Sequence, residues 1–176
     1  MYNEQTLQAF REVMEVWANA LNEYSMDALT LKPDAESWSM GQLYNHLFRG
    51  TLDFHLKELR QAASTNQNRR KFKSVKGFMV FHVIKGFPDI RIKVPPSERY
   101  TPRQPRQKEE LLTDITRLRE EIEDVPGILN NGQKGKTAHP AFSYLNAREW
   151  FRLIPMHFRH HLAQKERLDA FLREKR

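Results

Sequence analysis

Two histidines and a glutamine near the C-terminus are the residues best placed to do chemistry. His157, His161 and Gln164 fall on a seam, a row of residues spaced alternately three and four apart that faces the core of a helical protein. Burying such polar groups without partners costs roughly 2 kcal/mol or more each, so something must satisfy them. Residues four apart lie side by side on a helix, and two imidazoles so placed suit zinc, nickel, copper or iron. The spacing therefore predicts part of a metal site.

A third metal ligand would have to come from another helix. His46 is the best candidate, because it follows the apolar seam residue Leu43 by three positions. His55 lies nine positions further along, on the opposite face of the same predicted helix, and we expect it to be solvated. His82 cannot be placed from the sequence, whereas His139 precedes a proline and could line the mouth of the pocket. Buried histidines can also act purely as hydrogen-bonding residues, so a structural role stays open.

Four long helices are predicted to position these side chains, each with apolar residues on one face. They cover residues 2–25, about 40–63, about 107–125, and 147 to near the C-terminus. The first has the seam Leu7, Phe10, Met14, Trp17, Leu21 and Tyr24. The third has the seam Leu111, Ile115, Leu118 and Ile122. The last has Trp150, Ile154, Leu168 and Phe171 in line with its histidines.

The second and fourth of these helices begin with the same sequence signature. In each, a capping residue is followed three positions later by a side chain that can return a hydrogen bond to the cap. The two pairs are Ser39 with Gln42 and Asn146 with Glu149. Because such a capping box defines where a helix starts, it also defines the turn on which each later histidine lies.

The remaining segments complete an all-α prediction. Residues 76–86 hold a short apolar stretch that we expect to form one short helix, and Pro126 with Gly127 should end the third long helix. No stretch alternates polar and apolar residues over the length of a strand, so no sheet is predicted. We therefore predict a single domain over residues 1–176, a four-helix bundle with one long crossover and an extra short helix.

The crossover between the second and third helices is unusually basic. Residues 69–106 contain eleven Lys and Arg against two Asp and Glu, whereas the rest of the chain has eighteen against twenty. Five of the nine prolines lie in the same segment, which makes it a proline-rich excursion. A nucleic-acid footprint usually follows one face of a helix or sheet, so the pattern favours a solvated excursion over nucleic-acid binding.

Composition excludes several other classes of protein. The 176 residues include no cysteine, which excludes disulfides, thiolate metal sites and a thiol nucleophile. No apolar run reaches the roughly 18 residues of a membrane span, and no signal-peptide pattern is present, so we expect a cytoplasmic protein with no membrane partner. The chain also lacks a glycine-rich dinucleotide fingerprint and a serine-hydrolase elbow.

Three runs of residues together resemble the DinB/YfiT-like superfamily of proposed metalloenzymes. They are residues 38–47 (WSMGQLYNHL), 139–150 (HPAFSYLNAREW) and 157–164 (HFRHHLAQ). The resemblance covers most of the chain and is weakest in the basic segment. It departs at Ser143, where related members usually have glycine.

The resemblance implies a four-helix bundle with one long crossover that holds a divalent metal, and we expect this metal to be zinc or nickel. The ligands that it implies are His46, His157 and His161. Some members of the superfamily are transferases or isomerases that use a low-molecular-weight thiol, and many have no known reaction. Similarity of fold therefore supports the site better than it supports any substrate.

We expect a metal-dependent enzyme, either a hydrolase or a low-molecular-weight-thiol-dependent transferase, that acts on a small-molecule substrate. Gln164 is the candidate for orienting a bound water or substrate, and His139 and Trp150 are expected to line the pocket. One alternative is a non-catalytic stress-response or binding module with structural histidines. A second alternative is a nucleic-acid-binding protein that uses residues 69–106, whose affinity would fall steeply with salt. A homodimer is a further possibility, because the first helix has enough aromatic residues for two interfaces.

The basic segment is also predicted to wall the pocket. It has more residues than are needed to span the length of a bundle, so its surplus must fold over another surface. We expect at least one of its cations to face an anionic substrate, the alternative being that all of them are solvated. The candidates are Lys85, Arg91, Lys93 and Arg99.

Overall fold

The structure, a computed structural model, describes residues 2–87 and 101–175 and is predominantly helical there, as predicted. Its helices are α1 (Tyr2–Leu21), α2 (Met26–Thr30), α3 (Met40–Gly50), α4 (Leu56–Ser64), α5 (Val75–Phe78), α6 (Lys108–Glu123), α7 (Val125–Asn131), α8 (Ala147–His160) and α9 (Leu162–Glu174). Two π-helical turns, Thr51–His55 and Met79–Val83, join α3 to α4 and extend α5. The strands are β1 (Lys136–His139) and β2 (Ser143–Asn146). None of the described helices has the length and apolar content that crossing a membrane requires.

The first helix forms as its seam predicts. All six seam residues, from Leu7 to Tyr24, are buried in the core. α1 ends at Leu21, somewhat earlier than predicted, and the short helix α2 follows it. Ser25 caps α2, because its Oγ accepts a hydrogen bond from the Ala28 backbone N–H at 3.2 Å. Tyr24 therefore reaches the core from the turn between two helices.

Both predicted capping boxes are present, so the helices that carry the histidines start where the sequence indicates. The Ser39 hydroxyl accepts from the Gln42 N–H at 3.2 Å, and Gln42 Oε1 accepts from the Ser39 N–H at 3.0 Å. At the start of α8, Asn146 Oδ1 accepts from the Glu149 N–H and Glu149 Oε2 accepts from the Asn146 N–H. The two distances are 3.0 and 2.9 Å.

The second long helix contains a wider turn that its sequence does not reveal. α3 passes into the π-helical turn Thr51–His55 before α4 begins at Leu56. A π turn takes up about one residue more than an α turn, which rotates the residues after it by roughly 100° about the helix axis. This rotation turns His55 toward the core instead of the solvent.

The third long helix buries its predicted seam and ends close to its predicted limit. Leu111, Ile115, Leu118 and Ile122 are all buried, and α6 ends at Glu123. Pro126 does not end the helical structure, however. It lies in the first turn of α7, where a residue without an N–H loses no intrahelical hydrogen bond.

A short hairpin corrects the prediction that no sheet is present. β1 and β2 pair antiparallel, with Lys136 opposite Asn146 and His139 opposite Ser143. Each strand has only four residues, which is too short for alternation of polar and apolar side chains to be recognised. The hairpin leads directly into the capping residue of α8 and so anchors the helix that carries two of the candidate ligands.

The long helical segments α1, α3–α4, α6 and α8–α9 pack around one core. Ion pairs join Arg49 to Asp114 and Arg60 to Glu121, so α3–α4 and α6 run in the same direction. Two parallel segments that follow one another in the chain need a long connection, and the basic segment supplies it. That arrangement agrees with the crossover that the sequence predicts.

The structure describes the basic segment at its two ends, residues 69–87 and 101–106. The apolar stretch near its start forms α5 and the π turn after it, as predicted, with Val80 and Phe81 buried. Lys85 is exposed to solvent. The other three cations that were candidates for the pocket, Arg91, Lys93 and Arg99, lie outside the described residues.

Candidate metal centre

Three histidines from two helical segments form one group. His46 lies near the middle of α3, His157 lies in the last turn of α8, and His161 lies at the junction of α8 and α9. α3–α4 and α8 run antiparallel, since His46 is next to His157 whereas His55 is next to Trp150. We call His46, His157 and His161 the three-histidine group.

The ring nitrogens of the three-histidine group converge. His157 Nε2 lies 2.9 Å from His46 Nε2 and 3.1 Å from His161 Nε2. One nitrogen from each ring lies within 4.8 Å of the other two, and each side chain is half-buried. The ligands predicted from the sequence therefore meet at one place in the fold.

This convergence fits a bound cation better than it fits mutual hydrogen bonding. His161 Nδ1 donates to Gln164 Oε1 at 2.9 Å, so His161 Nε2 presents a lone pair. His157 Nε2 has at most one proton, although it lies within hydrogen-bonding distance of two other nitrogens. A divalent ion takes up three such lone pairs at once, and three imidazoles are a common donor set for zinc. Three imidazole donors are thus compatible with the divalent metal that the sequence predicts.

Burial keeps these imidazoles neutral. Desolvation, with the neighbouring histidines acting in the same direction, lowers the pKa of His46 to about 3 and lowers the pKa of His157 well below its usual value. Burial also lowers the pKa of His161 to about 4, although its hydrogen bond to Gln164 opposes the shift. Only a neutral imidazole binds a metal, and all three rings are neutral at pH 7.

His55 is the histidine whose position the sequence predicted wrongly. It is 8% exposed rather than solvated, and its ring centroid lies 5.3 Å from that of His157. Its Nδ1 lies 3.2 Å from Thr51 Oγ1, and burial lowers its pKa to about 3. The π turn that ends at His55 moves it off the face that regular α-helical spacing predicts. No periodicity in the sequence signals that turn, so His55 could not have been found from spacing.

His139 and Trp150 approach the three-histidine group through His55. The His139 ring stacks on Phe142 at 4.5 Å between centroids and lies 5.1 Å from Trp150. Trp150 is fully buried, and its Nε1–H donates to Thr137 Oγ1 at 2.8 Å. The Trp150 ring in turn lies 6.0 Å from His55. The role of His139 and Trp150 as pocket-lining residues stays a prediction.

A cavity of about 230 Å³ lies beside His46. Its lining consists of Asn45, His46, Arg49, Gly50 and residues 101–103. Asn45 Nδ2–H donates to the Arg103 carbonyl at 2.9 Å, whereas Asn45 Oδ1 is buried and has no partner in the part of the chain that the structure describes. A buried acceptor without a partner costs free energy, so this oxygen requires a hydrogen-bond donor from outside the described residues. The sequence analysis missed Asn45, because nothing in its spacing separates it from a core residue.

Two arginines border this cavity. Arg49 donates to both carboxylate oxygens of Asp114, at 3.0 and 3.1 Å, and Arg103 donates to Glu110 at 3.5 Å. Arg103 belongs to the basic segment, so one end of that segment does lie beside a candidate ligand. The lining residues do not include Lys85, which the sequence had offered as a pocket cation.

The amino-acid sequence of the chain matches the model of a known protein family. The family model of the DinB superfamily matches residues 6–164. The chain belongs to the DinB superfamily. The matched range contains the three-histidine group, both capping boxes and the hairpin. Comparison with curated proteins and with solved structures finds no match.

In this DinB-superfamily chain, Gln164 contacts a candidate ligand. By accepting a hydrogen bond from His161 Nδ1–H, its amide oxygen selects the tautomer that leaves the Nε2 lone pair free. The same hydrogen bond orients the imidazole toward the other two rings. Gln164 is therefore placed to position a ligand, whereas its predicted role in orienting water or substrate stays a prediction.

Ser143 is the position at which the resemblance leads one to expect glycine. Its φ is 60°, in the left-handed region that glycine adopts without strain. A residue with a Cβ pays roughly 1–2 kcal/mol there. Ser143 is the first residue of β2 and lies opposite His139. Because its φ is 60°, the second strand of this DinB-superfamily hairpin begins with an unusual backbone conformation.

Proposed function

We propose that this DinB-superfamily chain is a divalent-metal-dependent enzyme whose metal ligands are His46, His157 and His161. The observation that carries the proposal is the convergence of three neutral imidazoles, with ring nitrogens mutually within 4.8 Å. The superfamily is metal-binding, which supports the same interpretation. Imidazole ligands suit zinc and nickel, and we propose one of these as the metal.

Two reactions are compatible with such a centre. A divalent ion on three neutral imidazoles keeps its positive charge, which lowers the pKa of bound water toward about 7 for zinc and stabilises a bound thiolate. The first effect supports a hydrolase, and the second supports a transferase that uses a low-molecular-weight thiol. The chain has no cysteine, so the thiol would have to come from a cosubstrate.

The cavity beside His46 limits the substrate that we propose. A volume of about 230 Å³ suits a small molecule, or one end of a larger one, because each water takes up roughly 30 Å³ in the liquid. Arg49 and Arg103 favour an anionic group at this place, although each also contacts a carboxylate of the protein. Asn45 Oδ1 would accept a hydrogen bond from the substrate and so orient it.

Metal analysis of protein purified without a histidine tag tests the proposal. After incubation with zinc or nickel and removal of free metal, we expect about one ion per chain. The His157→Ala variant should bind none. The His82→Ala variant is the matched control, because His82 is exposed and lies outside the three-histidine group. Less than about 0.2 ion per chain in the wild type would reject the proposed site.

Activity measurements on the zinc-loaded protein separate the two reactions. Turnover of small anionic esters or amides without added thiol identifies a hydrolase, and turnover of an electrophile only with added thiol identifies a transferase. In either case Arg103→Gln should raise KM for an anionic substrate more than it lowers kcat, since Arg103 would act on binding. Stoichiometric metal with no turnover in either assay would favour the non-catalytic binding module.

A further inference from the structure

A second and larger cavity, of about 490 Å³, lies toward the other end of α8. Its walls come from the end of α4, from Arg69 and Arg70, from residues 132–134 and 136, and from the start of α8. Ala147 lines this cavity and is ten residues before His157, which corresponds to about 15 Å along a helix axis. The cavity is therefore a place separate from the candidate metal centre.

Five of the eleven residues that line this cavity are basic, and none of the lining residues within 2–87 and 101–175 is acidic. The basic residues are Arg69, Arg70, Lys134, Lys136 and Arg148. None of these five residues forms an ion pair within residues 2–87 and 101–175. The Lys136 ammonium donates to the Lys71 carbonyl at 2.5 Å. Glu149, the acid in the first turn of α8, already pairs with Lys73.

Close packing holds the loop that carries two of these cations. A Cβ on Gly135 would lie 2.4 Å from the Thr65 carbonyl oxygen, and one on Gly132 would lie 3.0 Å from the Ala63 Cβ. The Gln133 N–H also donates to the Ala63 carbonyl at 2.6 Å. The loop is thus held against the end of α4, and the cations gather in spite of their mutual repulsion because the backbone places them there.

The floor of the cavity is apolar, in contrast to its rim. Ala63, Leu129 and Ala147 contribute to the lining and are buried. An organic group could rest on this surface while a charged group contacts the rim. This combination of an apolar floor and a few convergent polar groups is typical of small-molecule sites, and the volume is in their usual range of about 300–1,000 Å³.

We propose that this cavity binds a small organic phosphate of about the size of a nucleotide. A cluster of five cations attracts a multivalent anion, and the planar fork of a guanidinium matches phosphate oxygens with two parallel hydrogen bonds. The N-terminus of α8 adds partial positive charge at the same wall. A concave site with an apolar floor favours a small ligand over a nucleic-acid strand, which needs an extended groove.

Calorimetric titration with ADP tests the proposal, with adenosine as a probe that lacks phosphate. At about 50 mM salt we expect ADP to bind with a Kd below about 1 mM and adenosine not to bind measurably. The double variant Arg69→Gln/Arg148→Gln should weaken ADP binding by at least about tenfold. The matched control is Lys57→Gln/Arg173→Gln, which removes the same charge at exposed positions outside the cavity and should change the Kd less than about twofold.

Several results would overturn the proposal. Absence of ADP binding to the wild-type protein would overturn it directly. An equal loss of ADP affinity in the two double variants would show that only the net charge of the protein affects binding. Adenosine binding as tightly as ADP would show that phosphate is not recognised. Tighter binding of a single-stranded DNA of about twelve nucleotides than of ADP would instead assign the surface to nucleic acid. Loss of ADP binding in the His46→Ala variant would show that ADP binds at the candidate metal centre and not in this cavity. All the substituted Lys and Arg side chains are exposed, and circular dichroism would confirm that the variants fold.

Discussion

The three-histidine group and its neighbours His55 and His139, which we call the flanking pair, lie in the same part of the protein, but their ring nitrogens have different partners. In the flanking pair, each Nδ1 has a partner from the protein: Thr51 Oγ1 at 3.2 Å for His55 and the Ala141 N–H at 3.0 Å for His139. In the three-histidine group, the nitrogens that converge have one another as neighbours. Burial lowers the pKa in both groups, so a low pKa alone does not identify a metal site. The convergence of its ring nitrogens is what distinguishes the three-histidine group from the flanking pair.

Zinc affinity should separate the two groups most strongly. His46→Ala removes a proposed ligand and should reduce zinc binding below detection, because two imidazoles do not complete the site. His55→Phe keeps most of the volume next to His157 and should weaken binding by no more than about 10- to 100-fold, the usual effect of a neighbour of a ligand. Competition with a chromophoric chelator measures both. Equal losses of zinc affinity in the two variants would show that His55 acts as a ligand, and the distinction between the three-histidine group and the flanking pair would then be wrong.

Acid should destabilise the metal-free protein through both groups. In the unfolded chain a histidine takes up a proton near its ordinary pKa of 6.5, whereas burial lowers the folded pKa of His55 to about 3 and that of His139 to about 4. The unfolded state therefore binds more protons between these values, and stability falls as pH drops from about 6.5 toward 4. The expected slope is about 1.4 kcal/mol per pH unit for each buried histidine.

Urea unfolding in EDTA at pH 7, 6 and 5 measures this slope. His55→Phe should reduce it by about 1.4 kcal/mol per pH unit, which is the contribution of one histidine. The control His82→Gln removes an exposed histidine and tests whether the loss of any histidine has the same effect. A slope that is unchanged in His55→Phe would contradict the burial of His55.

Gln164→Leu tests the side chain that forms a hydrogen bond with His161, a member of the three-histidine group. Without the acceptor on His161 Nδ1, the Nε2 tautomer is no longer selected, and zinc affinity should fall by about 10- to 100-fold. Gln164→Glu supplies another acceptor and should restore most of the affinity. If Gln164→Leu binds zinc as tightly as the wild type, Gln164 does not position His161.

Ser143→Gly should have the smallest effect, and it acts on the hairpin next to the flanking pair. Glycine relieves the strain at a φ of 60° but has more freedom in the unfolded chain, so we expect a net stabilisation of about 0.5–1 kcal/mol. Zinc affinity should not change, because Ser143 is not part of the three-histidine group. Thermal unfolding of the two proteins measures the difference. A destabilised Ser143→Gly protein would show that the serine side chain matters more than the backbone.

The candidate ligands could be predicted because they depend on local sequence. Capping boxes at Ser39 and Asn146 define where α3 and α8 start, and regular helical spacing then places each ligand on the inward face. His46 lies before the π turn of its helix, so the periodicity still holds where it is needed. His55 lies at the end of that turn, and the same periodicity fails there.

The amino-acid sequence by itself determined the helical seams, the two capped starts and, through them, the turns of each helix on which His46, His157 and His161 lie. These features need only hydrogen bonds and spacing within one helix. Only the tertiary structure decided the convergence of His46 with His157 and His161, the burial of His55, and the cavity lined by basic residues. Each of those depends on segments that are distant in the chain and meet by packing, and no short-range pattern of residues encodes such a meeting.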